Sequence, residues 1–202
     1  YMNRMRNLEQ KLREKIIELD RKTGERVISF FFDDIVEKYS ANEKVILHIN
    51  DLKEDMVEHI NKFKGQQKAS ANPFSIQRED PKKFFERYKV NLFIDNSDRI
   101  GAPIVNETNP TYYNLTGMME YKNEMGFLTT SFMDIKPGAL HKANGGFLIL
   151  NVKDLFSHQF AWEGLKRSLK TNKVTIETLN KQYGYIVTAT LKPEPIDMDL
   201  KV

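Results

Sequence analysis

The sequence predicts an α/β domain joined to a helical bundle or coiled-coil arm. Three observations predict it. Through the first part of the chain, apolar residues recur three and four apart, the spacing of amphipathic helices. From Val90 onward, short apolar runs alternate with turns and helical patterns, the order of an α/β unit. Between the two lies a polar stretch, Gly65 to Asn72, closed by Pro73 and read as a linker. The expected domains are therefore 1–72, helical, and 73–202, α/β.

The totals agree. The chain has 202 residues, enough for one large or two small domains, with 40% apolar and 29% charged residues, as in a soluble globular protein. The net charge of +3 and the lack of basic clusters interleaved with aromatics argue against a nucleic-acid partner. There is no cysteine, so a disulfide framework and a thiolate zinc site are excluded, and a reducing, cytoplasmic location fits. No apolar run is long enough to span a membrane, and no signal peptide opens the chain. Tyr1 lies inside a helical pattern, so the chain reads as part of a longer protein.

Met5, Leu8, Leu12, Ile16 and Leu19 form the stripe of a first helix, which Thr23-Gly24 is expected to end. A second helix is expected from Val27 to Tyr39, with Phe30, Phe31, Phe32, Ile35 and Val36. A third follows Asn42, a suitable N-cap, with Val45, Ile49, Leu52, Met56, Ile60 and Phe63 in register. The three stripes can bury one another as an antiparallel bundle. After Pro81 comes a short helix, Lys82 to Tyr88. "VNLFID", Val90 to Asp95, reads as a buried strand ending at Asn96-Ser97. Further strands are expected at Phe127–Phe132, Phe147–Leu150, Lys173–Glu177 and Tyr185–Thr190, with a helix from Leu155 to Lys170.

Little in the chain carries chemistry. A phosphate cradle of the type G-x-x-x-x-G-K-[ST] is absent, and no glycine is followed by lysine. "GGFLILNV", Gly145 to Val152, has the form of the strand whose terminal acids bind magnesium and orient water in an ATPase. Here those positions hold Asn151, a neutral amide and a poor partner for a hard dication, and Val152, which cannot polarise water. A degenerate nucleotide site and an ordinary core strand both fit. Of the histidines, His48 and His59 sit on the third helix, and His141 and His158 lack a second ligand at metal spacing. No nucleophile stands in a recognisable turn. Asp33-Asp34 reads as a solvated helix face.

"YKVNLFIDNS", "GAPIVNETNPTYYNLTGMMEYKNEMGFLTTSFMDIKPGALHKANGGFLILNVKDLF", "FAWEGLKRSLKTNKVTIE" and "TATLKPEPI" together resemble the Lon-like proteases of the LonB and LonC type. The first part of the chain fits, by pattern only, the helical insertion of their ATPase module. The resemblance implies a partial AAA+ subdomain of P-loop NTPase type, a hexamer, a serine–lysine protease domain elsewhere in the parent, and unfolded or misfolded protein as substrate. It places Gly146–Val152 on the Walker B strand, with Asn151 at the magnesium aspartate and Val152 at the catalytic glutamate. ATP and magnesium are ligands of such modules, but these departures weigh against both, and neither is expected for this chain alone. LonC-type members share such decay. The resemblance also implies that Tyr113, Leu115, Met125 and Phe127 face the ring's pore and grip polypeptide. The alternative for these four is packing onto the core. It implies, too, that Lys173–Thr190 is an inserted hairpin and "DLKV", Asp199–Val202, the start of the sensor strand. A rival of another class is a non-enzymatic interaction module, in which the helical arm docks a partner and the α/β part is a scaffold.

Overall fold

The computed structural model describes residues 2–64, 81–124, 126–179 and 191–202. It divides into two compact units, Tyr1–Lys89 and Val90–Val202. In the first, α1 runs unbroken from Met2 to Lys38, α2 from Glu43 to Glu58 and α3 from Ile60 to Phe63. The expected stop at Gly24 does not occur, so the first two predicted helices are one. Glycine costs a helix interior about 1 kcal/mol without breaking it. Gly24 is buried, and a Cβ there would lie 2.7 Å from Ile60 Cδ1. The missing side chain makes room for α3. The returning chain forms a helical hairpin rather than a three-helix bundle, with Lys64 Nζ 2.6 Å from Asp20 Oδ1. Asn42 caps α2 as expected, its Oδ1 accepting the Val45 N–H at 3.3 Å.

The short helix after Pro81 forms as α4, Pro81–Phe85, followed by a 3-10 turn, Glu86–Tyr88. Its rings pack on α3: Phe63 meets Phe85 and Tyr88, each at 5.2 Å between centroids. The Tyr88 hydroxyl and Arg87 Nη1 donate to the two Asp55 carboxylate oxygens, at 2.5 and 3.1 Å. These contacts tie residues 81–88 to the helical unit. The expected boundary at Asn72-Pro73 lies outside the described residues; the compact units divide later, at Lys89-Val90.

In the second unit the elements are β1 (Ile104–Glu107), α5 (Tyr112–Thr116), β2 (Met118–Met119), β3 (Lys122–Glu124), β4 (Phe127–Thr129), β5 (Ile135–Lys136), α6 (Ala139–Lys142), β6 (Phe147–Leu150), α7 (Val152–Ser157), α8 (Ala161–Thr171), β7 (Lys173–Val174) and β8 (Ile196–Asp197). β1 and β6 are parallel, with Ile104 opposite Phe147 and Glu107 opposite Leu150. On the other edge of β6, the Leu148 N–H donates to the Lys201 carbonyl at 2.8 Å and the Lys201 N–H to the Gly146 carbonyl at 3.0 Å. β6 is thus central, and "DLKV" runs parallel beside it. β2 pairs with β5, β3 with β4 and β7 with β8, all antiparallel. The result is a mixed helix and sheet fold around a small parallel sheet.

Four expectations change. Val90–Asp95 has no regular secondary structure and joins no ladder; the Asn91 side chain reaches the carbonyls of Phe132 and Ile135, at 2.8 and 3.2 Å. The helix expected from Leu155 to Lys170 is two, divided where Phe160 turns left-handed at φ 66°. The strands expected at Phe127–Phe132 and Lys173–Glu177 shorten to β4 and β7, and Phe132–Asp134 becomes a 3-10 turn. β1 was not foreseen. Tyr185–Thr190 lies outside the described residues. The core gathers Leu115, Leu140, Leu148, Leu155, Leu165 and Val174 with alanines from α6 and α8.

Candidate functional site

An open α/β sheet binds ligands beyond the carboxyl ends of its parallel strands. Here those ends are Glu107 on β1 and Leu150-Asn151 on β6. The Gly-Gly pair fixes where β6 starts. A Cβ on Gly146 would lie 2.0 Å from the Pro103 carbonyl oxygen, the same oxygen that accepts the Phe147 N–H at 2.8 Å. Only glycine lets the chain enter the sheet so close to Pro103, the residue before β1.

At the far end of β6, Asn151 is the N-cap of α7. Its Oδ1 accepts the Lys153 N–H at 3.0 Å. The one side-chain oxygen this amide could offer a cation is neutral and already caps the backbone. Val152 opens the helix with its side chain 63% exposed. Glu107, on the neighbouring strand, accepts the Asn109 N–H through Oε1 at 2.9 Å. Among the described residues, no group of three His, Cys, Asp or Glu could hold a metal ion. The residues at this strand end do not fit magnesium, which wants several hard oxygen ligands in a tight octahedron. Sequence reasoning missed Glu107 because it missed β1; the β-branched pair Ile104-Val105 ahead of Asn109-Pro110 was the signal available.

The residues expected to grip polypeptide have different fates. Leu115 is fully buried, in the middle of the core cluster, and so contacts no polypeptide in this fold. The expectation is corrected: on the short α5, Leu115 faces inward against α6 and α8. Tyr113, on the same helix, is half-buried, and its hydroxyl accepts the Leu179 N–H at 3.0 Å. Beside it Tyr112 is buried, its hydroxyl accepting from Arg167 Nη2 at 3.1 Å, and burial raises its pKa. Met125 lies outside the described residues. Phe127 opens β4 opposite Glu124, and between them Gly126 turns at φ 87° with its N–H donated to Asn123 Oδ1 at 2.9 Å. The hairpin tip expected at Gly126 is therefore present.

His141 lies on α6, 5% exposed, with Phe93 edge-on at 4.9 Å between ring centroids. Its Nδ1 accepts the Gly138 N–H at 3.2 Å. Burial pushes its pKa down to about 4. It is a packed neutral imidazole. No helix among the described residues is long and apolar enough to cross a membrane.

A search among curated proteins gives no match. The family model of the LonB-like AAA domain matches residues 100–202. That span takes in β1, the Gly-Gly entry to β6, the Asn151 cap and the Lys201 segment beside β6. Matched over more than half its length, the chain belongs to the LonB-like AAA domain family.

Proposed function

We propose that this chain is the AAA+ region, with its helical insertion, of a Lon-like serine protease, and that it handles unfolded protein without hydrolysing ATP at the β6 strand end. One observation carries the reading. β6 is the middle of a parallel trio, where a nucleotide-hydrolysing module keeps its acids, and its carboxyl end carries a capping asparagine and an exposed valine. The module retains the scaffold and lacks the chemistry. This favours a LonC-type parent, assembled as a hexamer, with ATP and magnesium dispensable or absent.

One face of the β1–β6 pair supports a larger module. Ile104, Phe147 and Ile149 are 65%, 45% and 53% exposed. Parallel strands are ordinarily covered on both faces, so the bare one suits a further layer of the AAA+ module. For polypeptide contact we retain the hairpin tip, Met125 and Phe127, and the half-buried Tyr113. An adaptable thioether and an aromatic ring are side chains that suit contact with many sequences.

The test is calorimetric. Titration of the chain with ATP and magnesium is expected to give no heat of binding. A dissociation constant in the low micromolar range, about −8 kcal/mol, would overturn the expectation that this chain binds no nucleotide, and release of phosphate from ATP by the intact protein would overturn the non-hydrolysing reading. In the intact protein, casein degradation is expected to run at the same rate with and without ATP. The exposed stripe on α1 favours a second reading, an interaction module with no protease; failure of the intact protein to degrade casein under any nucleotide condition selects it.

A further inference from the structure

On α1, the apolar line Met5, Leu8, Leu12, Ile16, Leu19, Val27 and Phe30 is 50% to 74% exposed throughout. With Thr23 included, its steps are three, four, four, repeated, so the pattern recurs every eleven residues. An eleven-residue repeat nearly matches the natural turn of an α-helix, so the line runs almost straight down one side. The face that α2 and α3 cover is different: Gly24 is buried, and Ile28, Phe32 and Val36 are half-buried. At ~100° per residue that face lies nearly opposite the exposed line. The hairpin therefore leaves one largely apolar side of its long helix uncovered from Met5 to Phe30.

The charges say what covers it. Arg4 and Arg6 lie toward the amino end of the line, while Asp33, Asp34 and Glu37 stand in the last two turns of α1, ahead of Lys38. Three acids against one base at the carboxyl end oppose the helix dipole, which favours bases there. Arg4, Arg6, Asp33, Asp34 and Glu37 make no ion pair among the described residues. Laid antiparallel on a second α1, each basic end meets an acidic end, and the two dipoles attract. A parallel pair would set like charges together at both ends.

We propose that α1 pairs antiparallel with α1 of a second copy of this chain, an isologous contact with its two-fold axis near Leu19. Leu8 then lies opposite Phe30 of the other copy, Leu12 opposite Val27 and Ile16 opposite Thr23, with Arg4 and Arg6 beside Asp34 and Asp33. The pairing is independent of any nucleotide chemistry, and would join chains within or between larger assemblies.

The chain has no cysteine, so introduced thiols report the register directly. Leu8→Cys and Phe30→Cys chains, mixed and mildly oxidised, should give the 8–30 disulfide, and Leu8→Cys alone should give no dimer. An 8–8 disulfide, or no 8–30 product, overturns the proposal. Sedimentation should show dimer at about 100 μM, well above the Kd of a micromolar contact. A monomer there, or a dimer that survives Leu12→Glu with Leu19→Glu at unchanged helical circular dichroism, also overturns it. Arg4→Glu with Arg6→Glu should raise the dimer Kd about tenfold. Adding Asp33→Lys and Asp34→Lys in the same chain should restore it, and no restoration contradicts the charge pairing.

Discussion

Because Nδ1 of His141 accepts the Gly138 N–H, the neutral ring carries its proton on Nε2, which is buried with no hydrogen-bond partner among the described residues. Protonating Nδ1 would cost that bond and place a charge beside Phe93, which is why burial holds the pKa down at about 4, from an ordinary 6.5. The folded ring thus binds a proton less readily than the unfolded one. Its contribution to stability is full above the unfolded value and is lost as pH falls toward the folded value. Between pH 7 and 5 the loss should be on the order of 2 kcal/mol. Urea midpoints across that window should fall in the native chain and stay nearly level in His141→Asn, whose amide oxygen can still accept from Gly138. An equal fall in both would place the pH dependence elsewhere. The window avoids Asp134, whose carboxyl the Lys122 ammonium holds below the usual range and which titrates lower. What the sequence disclosed at this scale was chemistry set by residue type. Asn151 and Val152 cannot do the work of two acids in any fold. What it hid was direction: in a helix as short as Tyr112–Thr116, no apolar period separates an inward Leu115 from an outward Tyr113.

Gly24 is the clearest case of an element boundary misread. Glycine marks a helix end when it adopts a left-handed turn, but a close neighbour also demands it, and that neighbour, Ile60, lies in another helix. No local pattern could reveal it. The contact also gives a sign to a substitution. Gly24→Ala gains about 1 kcal/mol of helix propensity, against a Cβ placed 2.7 Å from Ile60 Cδ1 and 3.0 Å from Cγ1. In the native background these should nearly cancel, since the side-chain tip must move. Ile60→Val deletes the Cδ1 methyl. In that background Gly24→Ala should stabilise the chain by ~0.5–1 kcal/mol, measured by a denaturant double-mutant cycle. Equal effects of Gly24→Ala in both backgrounds would mean that α3 does not press on α1. The same distinction explains the other elements. Asn42 was legible because a cap is a local device. The central strand Phe147–Leu150 was legible because an apolar run after Gly-Gly is local too. Val90–Asp95 looks like a strand by composition, yet a strand needs a partner ladder. Here Asn91 takes the carbonyls of Phe132 and Ile135 with its side chain instead.

At the scale of the whole chain, the sequence pattern changes across the polar stretch, from one apolar period to strand and helix alternation, whereas the compact units divide later, at Lys89-Val90. The division is visible in what each unit buries. All ten residues of the hydrophobic cluster come from Val90–Val202, while Ile49, Val57 and Phe84 are buried within Tyr1–Lys89. Separate cores predict separate unfolding, and Leu115 tests it. Its side chain is fully buried amid that cluster, so Leu115→Ala should cost the second unit ~2–5 kcal/mol through lost transfer energy and the cavity left behind. A residue that merely touched passing polypeptide would cost under ~0.5 kcal/mol. The α1–α2 hairpin should not register the change. Native-state hydrogen exchange separates the cases, because each amide reports the opening of its own unit. Amides of β6 and α8 should exchange faster in Leu115→Ala by a factor matching the global loss, and amides of Glu43–Glu58 should keep their native rates. If both sets accelerate together, the chain unfolds as one cooperative body. If neither does, Leu115 is not holding the core, and its assignment to polypeptide contact regains its ground.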